Sequence, residues 1–171
     1  MVAAAGAAVR AGIALARREA GPRDVVRAAG PGFLAFVAAL GVVVHAAGEH
    51  GLQDAVAALV PAGDGLPALL AIAVLAAVLA NLVNNLPATL VLVPVVAPAG
   101  EGPLLAALIG VNVGPNLTYV GSLATLLWRR TLHDRDAEPE LGEFVRLGAL
   151  TVPPALRVAT TLLWVALGVM G

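Results

Sequence analysis

Polar positions are scarce along this chain, and their placement divides it into apolar runs. Met1 to Ala16 is small and apolar around a single Arg10, without the charged start and cleavage site of a signal peptide. Its length predicts the end of a membrane helix cut at its start, with an amphipathic surface helix as the alternative. Arg17 to Arg27 is a connector holding Arg17, Arg18, Arg23 and Arg27. Pro31 to Gly48 predicts a span, closing near His45, Glu49 and His50. Gly51 to Gly65 carries Asp54, Asp64 and an apolar face of Val56, Leu59 and Val60, the pattern of a short interfacial helix.

Leu66 to Ala99 runs 34 residues with no polar group outside the cluster Asn81 to Asn85 except Thr89. As one straight helix it would be about 50 Å long at 1.5 Å per residue, too long for a bilayer. Two full spans need about 40 residues plus a turn. A re-entrant hairpin fits, with arms Leu66–Ala80 and Ala88–Val96 around a polar tip Asn81–Pro87. Pro103 to Arg130 is then a span interrupted by a Gly- and Asn-rich stretch, Gly110 to Ser122. Arg129 to Arg146 is a charged loop. Leu147 to Met170 is the last span, with Pro153-Pro154 expected to disturb its first turns and Arg157, its one charge, expected to snorkel toward an interface.

Composition sharpens the class. Hydrophobic residues make up 60% of the chain and charged ones 12%, against about 45–50% and about 25% in soluble domains. No stretch alternates as a barrel strand would. The fold class is an all-α polytopic membrane protein, one domain over 1–171, in the cell's inner or plasma membrane with the lipid bilayer as its solvent. Cysteine is absent, which removes disulfides, thiolate metal sites and cysteine nucleophiles. No cofactor, no metal and no nucleic-acid partner is expected.

Charge placement gives direction. No basic residue falls between Arg27 and Arg129, while Glu49, Asp54, Asp64 and Glu101 lie in the connections between. By the positive-inside rule loops 17–30 and 129–146 are both cytoplasmic. The crossings between them must then be even in number. Spans 31–48 and 103–130 supply two, so residues 66–99 enter and leave on the outer side.

Nearly all the chain's amides fall in two helix-breaking contexts. Its five asparagines are Asn81, Asn84 and Asn85 in the tip and Asn112 and Asn116 in the interrupted span, where its single serine, Ser122, also lies. Gly110, Gly114, Pro115 and Gly121 are expected to break that span, and irregular backbone at membrane depth survives only in protein or beside water. Broken helices expose amides on one half and carbonyls on the other, favouring anions and cations respectively. A tip and a break that meet at the midplane would enclose one polar pocket. The candidate solute- or ion-binding residues are Asn81, Asn84, Asn85, Pro87, Thr89, Asn112, Gly114, Pro115, Asn116, Thr118, Gly121 and Ser122. The plain alternative is that the amides and hydroxyls only bond helices together, at about 0.6–2 kcal/mol each. An enzyme is not expected: Ser122 has no His or Lys near it, and no span holds paired carboxylates.

Two stretches, Asn81-Leu82-Val83-Asn84-Asn85-Leu86-Pro87 and Gly114-Pro115-Asn116-Leu117-Thr118-Tyr119-Val120-Gly121-Ser122-Leu123-Ala124-Thr125-Leu126-Leu127-Trp128, resemble the carboxy-terminal half of the arsenical-pump membrane protein family. Gly121 to Trp128 is the most specific part, and the resemblance runs from about Arg17 to the end. It implies arsenite/antimonite efflux permeases of the ion transporter superfamily: two inverted repeats, each with a re-entrant hairpin and a broken helix, driven by the proton motive force and sometimes working with a soluble ATPase subunit. Two departures follow. Some bacterial arsenite permeases have an Asp and a Lys where this chain has Asn112 and Asn116, so the coupling ion, proton or sodium, stays open. The chain is also half the family's length, which reads as a fragment, a truncated reading frame or a half-transporter that pairs with a second copy or a missing amino-terminal half. The alternatives are a sodium-coupled anion carrier or sodium/proton antiporter of the same superfamily, and a non-transporting fragment.

Overall fold

The computed structural model describes residues 6–7, 9–13, 17, 21, 23, 31–133, 135 and 140–170. The chain divides into two units, Met1–Val42 and Val43–Gly171. In the first, residues 6–7 and 9–13 are helical; the rest of the opening run and most of the Arg17–Arg27 connector lie outside the described residues. Helix α1, Pro31–Ala47, starts on a proline, whose missing N–H would find no helical partner there anyway. It ends in a wide turn, Gly48–Leu52, where Gly51 takes φ 90°, a backbone that side chains resist. The short helix α2, Gln53–Ala57, follows. Of the expected apolar face, Val56 is buried and Val60 packs against the core, while Leu59 is exposed.

Helix α3, Leu66–Val83, runs three residues beyond the expected arm. Asn81 continues it because its side chain donates back to the Ala77 carbonyl one turn earlier (2.8 Å). The break is then a single residue, Asn84 at φ 82°, ψ 153°, instead of a tip Asn81–Pro87. Helix α4, Asn85–Val96, begins at once, a 3-10 turn Ala97–Ala99 closes it, and Gly100 at φ 113° turns the chain into helix α5, Glu101–Val113.

Helices α3 and α5 run parallel, since Gly102 lies against Leu69, Gly110 against Ala73 and Ala76, and Gly114 against Ala77. Helix α4 connects the end of one to the start of the other, so the three form a hairpin plus a third parallel helix. Their shared core is Leu69, Ile72, Ala76 and Ala80 of α3, Ala88, Val91, Leu92 and Val96 of α4, and Ala106, Ala107 and Val111 of α5. Small residues at the α3–α5 seam let the backbones touch, as helices must in lipid, where apolar faces gain little from meeting. A Cβ on Gly110 would collide with the Ala73 carbonyl, and one on Gly114 with Ala77. Gly110 is therefore a contact glycine inside α5, where the sequence alone predicts that it helps to break the span.

The break in the second element is Gly114–Leu117, a 3-10 turn, followed by irregular residues 118–122. Helix α6, Leu123–His133, leads out of it, and helix α7, Leu141–Met170, returns antiparallel to α5, with Gly148 against Asn116 and Leu117 and Leu167 beside Gly102. These helices shorten the charged loop expected over 129–146 to 134–140, of which 134 and 136–139 lie outside the described residues. Pro153 and Pro154 sit within α7 without ending it. The carbonyls of Ala149 and Leu150 lose their donors, a loss membrane helices tolerate. Among the described residues there is no strand, and two helices, Leu66–Val83 and Leu141–Val169, are long and apolar enough to cross a membrane.

Candidate functional site

The two breaks meet. Asn81 Nδ2, besides its bond within α3, donates to the Gly114 carbonyl (2.9 Å), and Thr118 Oγ1 donates to Asn81 Oδ1 (2.7 Å). Asn84 Nδ2 donates to the Val120 carbonyl (3.0 Å), and the Asn85 N–H donates to the Gly121 carbonyl (2.9 Å). Pairing breaks this way satisfies backbone groups that neither helix can satisfy alone. It also explains Gly121: a Cβ there would lie 2.7 Å from Pro115 Cα and 2.9 Å from Asn81 Oδ1.

Asn84 has the one positive φ among the described non-glycine residues. A side chain there costs about 1–3 kcal/mol. The cost is met locally: Asn84 Oδ1 accepts from the Leu86 N–H (3.5 Å), its carbonyl accepts from Ala88 (3.1 Å), and its amide reaches Val120. Such bonds contribute about 0.5–1.5 kcal/mol each. Asparagine suits the position because its short amide can reach backbone on both sides.

The candidate residues therefore separate into four groups. Asn81, Asn84, Gly114, Pro115, Thr118 and Gly121 are occupied in joining the breaks. Pro87 is buried in the first turn of α4, Thr89 Oγ1 donates to the Asn85 carbonyl (2.7 Å), and Ser122 Oγ caps α6 by accepting from the Thr125 N–H (3.1 Å). Asn85 is different: its side chain makes no hydrogen bond with any described residue although its backbone is held at the junction. Near it the carbonyls of Asn81, Leu82 and Val83, at the end of α3, receive no helical N–H. The junction thus leaves neutral oxygens and one amide uncommitted, and residues 81–85 and 114–122 include no Asp, Glu, His, Lys or Arg.

Asn112 and Asn116 do not join this cluster. Asn112 lies about 200° round α5 from the contact residue Gly110, at 100° per residue, and both asparagines are exposed. Their Nδ2 groups donate to their own turn, Asn112 to Leu108 (2.8 Å) and Asn116 to Val113 (3.0 Å), and neither Oδ1 has a hydrogen bond with a described residue. Asn112 near the end of α5 and Asn116 in the turn that follows make a second polar surface.

Sequence reasoning passed over Tyr119 as a site residue. Its ring packs 4.3 Å from Phe144, Arg129 Cζ lies 5.7 Å above it, and its buried hydroxyl has no partner among the described residues. It ties the irregular stretch to α6 and α7. Along α7, the junction lies beside Gly148, which packs against Asn116 and Leu117.

Over residues 1–167 the chain matches the family described as arsenical pump membrane protein. It is 30% identical to the arsenical pump membrane protein of Escherichia coli, with 98% of this chain and 41% of the relative covered. It is 32% identical to that of Escherichia coli strain K12 over 78% of the chain and 33% of the relative. With the protein of the same description from Yersinia enterocolitica it shares 34% identity over 56% of the chain and 24% of the relative. The chain thus spans about two-fifths or less of the curated relatives it matches. No solved structure matches it.

Proposed function

The chain belongs to the arsenical pump membrane protein family, and we propose that it forms the part of an arsenite or antimonite efflux permease that holds one half of the solute path. The observation that carries this reading is the junction, where two helix breaks are bonded to each other and still leave the Asn85 amide and the last carbonyls of α3 uncommitted. Neutral donors and acceptors of this kind suit a small uncharged polyhydroxyl solute such as arsenous acid. The hairpin α3–α4 enters and leaves the membrane on one side, the Arg-bearing loops are cytoplasmic, and the junction opens toward them. The polar face of Asn112 and Asn116 meets the rest of the path, supplied by an amino-terminal half or a second copy. A soluble ATPase subunit, where present, docks on the cytoplasmic side.

A sodium-coupled carrier is the second reading. The absence of any acid or base at the junction favours it, because free helix carbonyls bind hard cations without a proton. Uptake of radiolabelled arsenite into everted vesicles containing the full-length gene product separates the two. Proton-driven arsenite accumulation supports the first. Sodium-dependent solute uptake with no arsenite transport replaces it with the second.

A further inference from the structure

Arg157 lies within the long apolar helix, and its position along α7 excludes an easy escape to water. Nine residues, about 14 Å, separate it from Gly148 at the junction, and eleven, about 16 Å, separate it from Gly168. With residues 148–168 as the crossing stretch of a hydrocarbon core about 30 Å thick, Arg157 falls near mid-depth, where its side chain is too short to bring the guanidinium to either surface. It is exposed, and its side chain forms no ion pair or hydrogen bond with any described residue. The expected snorkelling is thus a partial remedy only.

Arg157 borders a groove of about 530 Å³ between α3 and α7. The α3 wall is a ridge at four-residue spacing, Val74, Val78 and Leu82, about half to three-quarters exposed. The facing wall comes from Pro153 and Leu156, and Arg157 is the charged residue among those lining the groove. A ridge and groove of this kind receives a helix. A small anion would meet apolar walls almost everywhere.

We propose that the groove seats a membrane helix whose otherwise apolar face carries one Asp or Glu, placed to pair with Arg157. Charge complementarity selects this occupant. An unpaired guanidinium in hydrocarbon is strongly disfavoured, and a carboxylate is the partner that satisfies its planar donors two at a time. A second copy of this chain does not supply one: none of its apolar runs 1–16, 31–48, 66–99, 103–128 and 147–170 contains an Asp or Glu. The carboxylate therefore comes from outside residues 1–171. The inference holds whichever solute is carried.

The test places p-benzoylphenylalanine at Val78 in the full-length gene product, irradiates membranes and identifies the adduct by mass spectrometry. The expected adduct is a peptide, in the same polypeptide or another, with Asp or Glu inside an apolar segment. Its yield falls at least about tenfold with Arg157→Met and recovers with Arg157→Lys, since removing one partner leaves a buried charge unpaired. Arg157→Glu abolishes it, and reversing the partner's carboxylate to a base restores it. Adducts with lipid only, with another copy of residues 1–171 or with an acid-free helix overturn the proposal, as does a yield indifferent to Arg157→Met.

Discussion

At Asn84 a residue chosen for its side chain occupies a backbone conformation that glycine would adopt freely. Two effects oppose each other there, so the ranking of substitutions is informative. Asn84→Gly loses the bond to Val120 but relieves the strain, whereas Asn84→Ala loses the bond and keeps the strain. The alanine variant should therefore be less stable than the glycine variant by about 1–2 kcal/mol, read as a lower thermal midpoint in detergent. Equal midpoints would remove strain from the account. The contact glycines give a second ranking. Gly114→Ala drives a Cβ into Ala77 and should cost roughly 1–3 kcal/mol, while Gly142→Ala and Gly168→Ala, which meet open space, should be neutral or mildly stabilising. Sequence showed that glycines and asparagines cluster. It could not say that Gly110 serves a neighbour's carbonyl while Asn81 and Thr118 spend their polar groups on each other, because both facts depend on pairings 33 to 37 residues apart.

At the level of elements, the paired breaks were legible because polar residues in so apolar a chain have few reasons to exist. Asn84 falls within the expected tip, and the irregular residues 118–122 fall within the expected interruption. Boundaries were less legible. Helix α3 absorbs Asn81 by bonding it to Ala77, and α7 absorbs Pro153-Pro154, since a helix in lipid has no water to turn to for its backbone groups. The hairpin also predicts sidedness. The chain lacks cysteine, so Asp64→Cys, Glu101→Cys and Arg135→Cys can each be labelled alone with an impermeant maleimide. The first two should react in intact cells and the third only after permeabilisation. Opposite sidedness for positions 64 and 101 would make residues 66–99 a single crossing and break the charge-parity argument.

For the whole molecule, mean hydropathy of +0.92 was enough to read an all-helical membrane chain, while the orientation drawn from arginine placement is what the labelling experiment tests. The packing of the break against α7 was not legible, since it emerges only when Gly148 is seen against Asn116 and Leu117. Nor was the difference between the polar groups that hold the junction together and those that the junction leaves uncommitted. That difference is the centre of the account, and Asn85 isolates it: its backbone N–H joins Gly121, but its side chain supports nothing else described. The decisive measurement is the initial rate of arsenite accumulation in everted vesicles carrying the full-length protein with Asn85→Ala, at matched membrane content. The account predicts a fall of about tenfold or more, equivalent to about 1.4 kcal/mol of lost solute interaction, with expression and thermal midpoint unchanged. A rate equal to that of the unsubstituted protein would contradict it and leave the junction as packing alone.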